Sequence, residues 1–144
     1  MQTAAPANTS ETAPRPWWMT ALALFCAGTV LFLVPRDLCF EATRDVEVWG
    51  GFEVRGCAAL LTAPLHWLIF GVGAVAFWRA RPWIVTWAAG YVFYVAASHL
   101  VWSEVSPHGN GWPIGLAQAA AISVPGVLLL RARRRSLPRR VRIR

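Results

Sequence analysis

The sequence predicts an all-α integral membrane protein, a four-transmembrane-helix antiparallel bundle with a short exoplasmic β-hairpin between helices 1 and 2. Hydrophobic residues make up 56% of the 144-residue chain and the mean hydropathy is +0.43, which is beyond the usual range of a soluble domain. Four segments are free of Asp, Glu, Lys and Arg, and each has about the 20 residues that a helix needs to cross a bilayer. A chain of this length has room for one domain.

The four apolar segments end at residues that favour the membrane interface. The predicted spans cover residues 17–34, 57–78, 83–102 and 112–130. Indole prefers the headgroup region, where its ring is half buried and its N–H stays hydrated. The tryptophans at the span ends therefore predict two belts, Trp17, Trp18, Trp78 and Trp83 on one side and Trp102 and Trp112 on the other.

The distribution of arginine predicts the orientation. The basic residues are all arginine, and a cluster of them lies between Arg131 and Arg144, directly behind the last apolar segment. With four spans, Arg79 and Arg81 fall on the same side as this cluster, whereas the loop after the first span is net acidic. Short Arg-rich segments stay cytoplasmic. We therefore expect a multi-pass protein of the cell inner membrane with both termini in the cytoplasm, and no nucleic-acid partner.

The chain divides into three parts by composition. Residues 1–16, rich in Ala, Thr and Pro, predict a disordered cytoplasmic segment; residues 17–130 form the transmembrane domain, and 131–144 the Arg-rich cytoplasmic tail. A rival interpretation makes the first span a cleaved signal peptide. Because only Arg15 precedes the span and no A-x-A-like site follows it, an uncleaved anchor is favoured.

The stretch EVWGGFEV, residues 47–54, predicts the β-hairpin. Two short runs of β-branched and aromatic residues meet at Gly50 and Gly51, and glycine tolerates the positive φ that such a turn demands. Strands of about four residues do not persist alone, so we expect the hairpin to rest on the outer end of the helices. Trp49 and Phe52 are possible partner contacts. The predicted register pairs Trp49 with Phe52, Val48 with Glu53, Glu47 with Val54 and Val46 with Arg55.

Two cysteines bracket the hairpin. Cys39 follows the first span and Cys57 opens the second. If the exoplasmic side is oxidising, a disulfide between them would close a loop of about 18 residues and stabilise the fold by roughly 3 kcal/mol. Sequence spacing says nothing about the distance between them, so two separate thiols are an open alternative.

A few polar residues within or beside the spans are candidates for a site, because polar groups in a membrane are costly. His66 and His99, with Glu104 at the outer edge, are a possible cofactor or metal site in the outer leaflet. The chain has no H-x-x-x-H, C-x-x-C or C-x-x-C-H motif, so the ligand signal is weak. Interhelical hydrogen bonding is the commoner role for such histidines. We therefore expect no cofactor, with haem or a metal as the alternative.

The first arginines of the tail are predicted to contact lipid headgroups. Arginine near an anionic membrane surface contributes roughly 1 kcal/mol to binding. The residues nearest the last span are Arg131, Arg133, Arg134 and Arg135.

These features lead to three hypotheses of function. The first is a small, non-catalytic accessory or assembly subunit of a larger membrane complex, whose partners are membrane lipids and other membrane subunits or a second copy of itself. The second is a redox, haem or metal-binding protein that uses the outer-leaflet histidines. The third is an oligomeric transporter or channel, which the lack of charged residues within the spans disfavours.

Overall fold

The computed structural model describes residues 15–40 and 46–136, with the side chains of Arg135 and Ser136 left out. The predicted disordered segment, apart from Arg15 and Pro16, and the tail beyond Ser136 lie outside the described residues. Four helices and two strands follow one another in these ranges: α1 (Trp17–Cys39), β1 (Val46–Trp49), β2 (Phe52–Arg55), α2 (Cys57–Trp78), α3 (Pro82–Val105) and α4 (Gly111–Ser136).

The four helices are long and apolar enough to cross a membrane, which confirms the predicted membrane-spanning character of the chain. Each contains one predicted span, and α2 has the predicted limits of residues 57–78. Three helices run further than the apolar segments: α1 continues through Pro35 to Cys39, α3 continues to Val105, and α4 continues to Ser136. Helical hydrogen bonding does not depend on side-chain polarity, so a helix continues beyond its apolar residues until a backbone signal ends it.

The helices pack as two pairs. The contacts between α1 and α2 and between α3 and α4 are extensive, whereas α2 and α3 touch little. All four helices meet in a buried apolar cluster at the end that holds the α2–α3 connection: Met19, Ala23 and Cys26 of α1, Ala76 and Phe77 of α2, Ile84, Val85 and Ala89 of α3, and Leu129 of α4. Alanines in this cluster let the helix backbones approach closely. At the other end, the hairpin fills the space between the pairs.

The two strands form the predicted hairpin. They pair antiparallel in the predicted register, with Trp49 opposite Phe52 and Glu47 opposite Val54. The two turn residues have positive φ, +60° at Gly50 and +92° at Gly51, as the type I′ turn that joins two strands most tightly requires.

The hairpin is inserted between the helices, whereas the sequence predicts that it rests on their outer ends. A Cβ atom on Gly51 would fall 2.6 Å from the carbonyl oxygen of Ser98, a residue well inside α3. The four residues of β2 rise by about 13 Å from the turn, and α2 then descends by about the same distance from Cys57 to His66. This return places the turn beside α3 about 6–10 Å from the end of that helix.

Substituting Gly51 tests this placement. Gly51→Ala puts a methyl group 2.5 Å from Val101 Cβ at a left-handed φ, so we expect the free energy of unfolding to fall by about 1–3 kcal/mol. Thermal unfolding in a mild detergent measures the change. The control is Gly50→Ala, which has a similar φ but open space around its Cβ and should cost only about 1 kcal/mol. Equal melting temperatures for the two variants would contradict the insertion of the turn against α3.

Candidate functional site

A buried polar cluster forms where the hairpin meets α1 and α2. We use this name for the side chains of Arg36, Asp37, Glu47, His66 and Trp67. The Arg36 guanidinium joins α1 to the hairpin, because its Nε lies 2.6 Å from Asp37 Oδ1 and its terminal nitrogen 2.7 Å from Glu47 Oε1. This guanidinium therefore holds both carboxylates of the cluster.

The remaining carboxylate oxygens bind side chains of α2. Glu47 Oε2 lies 2.9 Å from His66 Nδ1, and Asp37 Oδ2 accepts a 2.8 Å hydrogen bond from Trp67 Nε1. Each of the four carboxylate oxygens thus has a partner. Asp37 is only 2% exposed and Glu47 only 5%, and burial of a carboxylate is tolerated only when it is paired and hydrogen-bonded.

Aromatic side chains fix the hairpin from both sides. The Trp49 ring stacks on the His66 ring with centroids 4.2 Å apart and planes 8° apart. On the α3 side, the Gly50 backbone N–H donates a 2.8 Å hydrogen bond to the Tyr94 hydroxyl. Within the described ranges Trp49 Nε1 is buried without a hydrogen-bond partner, so this side chain contributes through stacking.

A second hydrogen-bonded group ties β2 to the end of α3. Glu53 accepts hydrogen bonds from Ser106 Oγ at 2.9 Å, from Trp102 Nε1 at 3.3 Å and from the Arg55 guanidinium at 2.6 Å. The hydrogen bonds from Arg55 and Ser106 hold the pKa of Glu53 below its ordinary value of 4.5. This carboxylate is therefore an anchor that depends on its negative charge.

The structure separates the predicted cofactor ligands. His66 belongs to the buried polar cluster, whereas His99 is exposed with its ring 6.1 Å from that of Trp102, and Glu104 is also exposed. In residues 15–40 and 46–136, no three His, Cys, Asp or Glu side chains lie close enough to hold a metal ion. The three residues therefore do not form a common three-ligand site.

The other predicted site residues lie near the hairpin and at the end of α4. Cys39 and Cys57 are exposed free thiols in the structure, and their pairing in an oxidising compartment remains to be tested. Trp49 is half-buried against His66, whereas Phe52 is 60% exposed, so the two candidate contact residues differ in accessibility. Arg131, Arg133 and Arg134 lie in the last turns of α4, and the side chain of Arg135 is outside the described part.

Sequence reasoning missed most of the buried polar cluster. Arg36, Asp37 and Glu47 all follow the first predicted span, and their charges indicate the orientation of the chain but none of these contacts. One available signal was alternation along β1, which puts Glu47 on the same strand face as Trp49. Another was the position of His66, whose distance from the start of α2, about 13 Å, equals the length of a four-residue strand.

The fold and the buried polar cluster define the class of the protein as a helical, membrane-spanning protein with a hairpin held between its helices. No protein-family model, curated protein or solved structure matches the chain. The arguments about function therefore rest on the residues themselves.

Removing the charge of Glu47 should release the hairpin. Glu47→Gln removes the anion that the half-buried Arg36 and His66 share, and hydrogen bonds to a charged group contribute about 1.5–3 kcal/mol. We expect a much lower melting temperature and faster proteolysis between β1 and β2. The matched control is Glu104→Gln, which neutralises an exposed carboxylate and should change stability by less than about 0.5 kcal/mol. Similar melting temperatures for both variants would show that the cluster does not support the fold.

Lowering the pH should loosen the contact between β2 and α3. Because the pKa of Glu53 is depressed in the folded protein, its contribution is complete above about pH 4.5 and is lost as the pH falls through the lower, folded-state value. Melting temperatures measured from pH 7 to pH 3 for the wild type and for Glu53→Gln isolate this carboxylate from the other acidic groups. The gap between the two proteins should shrink toward the acid end; a constant gap would refute the assignment.

Proposed function

We propose that the protein is a non-catalytic accessory or assembly subunit of a larger membrane complex, and that its hairpin is the docking element. The observation that carries this proposal is an open strand edge held between membrane-spanning helices. Coverage of this edge by a strand or helix of a partner would explain why the hairpin is held between the helices.

The edge follows from the register of the hairpin. Residues that flank a two-residue turn exchange backbone hydrogen bonds, so Trp49 and Phe52 bond to each other. The next pair directs its N–H and C=O groups outward on opposite edges, those of Val48 on the β1 edge, which is the proposed docking edge, and those of Glu53 on the β2 edge. Within the described ranges these outward groups have no backbone partner. Unpaired backbone groups facing hydrocarbon cost several kcal/mol each, which favours coverage by protein.

Exposed side chains on both strands of the hairpin support a docking role. Phe52 is 60% exposed and Val48 is 40% exposed, although both belong to a hairpin that is fixed by the buried polar cluster and by Tyr94. A fixed element loses little conformational entropy on binding. Addition of a strand to an exposed sheet edge is a common mode of recognition.

The proposed setting is a bundle of four antiparallel helices in the cell inner membrane. The arginine-rich α2–α3 connection and the end of α4 support a cytoplasmic location for that end, and the hairpin then faces the exoplasmic side. In this orientation the docking edge is reached from within the outer leaflet, which suits another membrane subunit or a second copy of this chain.

The two other hypotheses gain less support. Of the three predicted ligands only His66 lies in the buried polar cluster. In the proposed setting the cluster would bring charged groups to membrane depth, which transport requires. However, the predicted spans contain no Asp, Glu, Lys or Arg that would continue a path to the other side.

Disrupting the strand edge tests the proposed function. The double variant Val48→Pro/Phe52→Ala removes one outward N–H and one exposed ring, whereas proline at this edge position breaks no hydrogen bond within the hairpin. We expect mild detergent to extract the wild type in a complex far above 15.9 kDa, and the variant to lose affinity by roughly 30-fold, or about 2 kcal/mol. Native electrophoresis and crosslinking measure the complex.

The control removes apolar surface elsewhere. Leu61→Ala truncates a side chain of α2 that is 80% exposed and should leave the complex intact. A wild type that migrates only as a monomer, or a double variant that keeps the complex, would refute the proposal.

A further inference from the structure

An open apolar groove runs along one face of α2. Its wall consists of residues spaced by three or four along the helix, together with the first tryptophan of α3: Pro64, Leu68, Gly71, Val72, Val75 and Trp83. The groove has a volume of about 630 Å³, within the roughly 300–1,000 Å³ that small-ligand sites occupy. It lies where α2 and α3 leave space between the two helix pairs.

Two arginines lie at one end of the groove. Arg79 and Arg81, from the connection between α2 and α3, line it and are exposed. In the described part of the chain neither guanidinium has a hydrogen bond or an ion pair. Arg15 at the same end is engaged, since it donates a 2.6 Å hydrogen bond to the Trp78 carbonyl and lies 4.2 Å over the Trp78 ring. In the described part of the chain, Arg79 and Arg81 therefore offer positive charge at the mouth of an apolar groove.

The dimensions of the groove match one leaflet of a bilayer. From Arg79 to Pro64 the helix rises by about 22 Å, and one leaflet with its headgroup region is about 20–22 Å thick. A fatty acyl chain can therefore lie along the groove while its headgroup stays level with the arginines. Trp83 lines the same end, where an indole ring favours the interface.

We propose that this groove binds an anionic phospholipid, with an acyl chain along α2 and the phosphate held by Arg79 and Arg81. The charge of the two arginines selects a negative headgroup, and the apolar wall retains the acyl chain. Basic pockets between membrane helices select anionic lipids in this way. The site is independent of the hairpin edge and of the proposed docking role.

The deep end of the groove reaches the buried polar cluster. Trp67 lines the groove and donates its indole N–H to Asp37. A lipid in the groove therefore packs against a side chain that holds the α1 end of the cluster. Bound lipid should thus raise the melting temperature of the whole protein.

Lipid titration followed by native mass spectrometry tests the site. The probes are phosphatidylglycerol and phosphatidylcholine with identical acyl chains, added to the delipidated full-length protein. We expect the wild type to prefer phosphatidylglycerol, and Arg79→Gln/Arg81→Gln to lose roughly 30-fold in affinity for it, at about 1 kcal/mol for each arginine. Arg55→Gln removes a positive charge at the hairpin end and should leave the preference unchanged.

A second variant fills the groove without removing charge. Around Gly71 a Cβ meets no atom within 4 Å, so Gly71→Leu should fold normally and weaken the binding of both lipids. The matched control is Gly90→Leu. A Cβ on Gly90 also meets no atom within 4 Å, but Gly90 lines a groove of α3 that contains no arginine. Unchanged phosphatidylglycerol binding in the double arginine variant would overturn the proposal. Equal effects of the two glycine substitutions would also overturn it and indicate only an annular layer of lipid.

Discussion

The carboxylate of Glu47 is the contact on which the hairpin end of the molecule depends. One oxygen binds Arg36 of α1 and the other binds His66 of α2, so a single side chain of β1 joins two helices. Ion pairs in a medium of low dielectric constant are strong only when every partner is present. The polar contacts here are accordingly complete, because Asp37 and Trp67 occupy the remaining positions.

The need for this cluster follows from how the helices pack. The apolar cluster that joins all four helices lies at the end with the α2–α3 connection. At the other end the two helix pairs stand apart, and the hairpin fills the gap. Apolar side chains alone hold helices together weakly in lipid, because lipid tails are as apolar as leucine. Hydrogen bonds and ion pairs therefore hold this end together. Glu47 binds side chains of α1 and α2, and Glu53 binds the end of α3.

The two ends of the molecule are suited to different partners. The hairpin end presents an open strand edge with the exposed ring of Phe52, which suits a protein surface. The opposite end presents Arg79 and Arg81 beside an apolar groove, which suits a lipid with a negative headgroup. Within the described ranges their guanidinium groups have no hydrogen bond or ion pair. Trp67 connects the two ends physically, since it borders the groove and bonds to Asp37. Lipid and protein binding would then stabilise the same set of side chains.

The sequence by itself determined the elements of this fold. Hydropathy located the four helices, and the Gly-Gly pair determined the hairpin and its register, because both signals are local: about 20 apolar residues make a span, and two residues of positive φ make a tight turn. Only the tertiary structure decided how deep the hairpin lies and which charges are buried. Glu47 and Glu53 look alike in sequence, yet one is enclosed between α1 and α2 and the other binds the end of α3. Their difference arises from contacts between residues far apart in the chain, such as Arg36 with Glu47 and Glu47 with His66. No local pattern encodes these contacts.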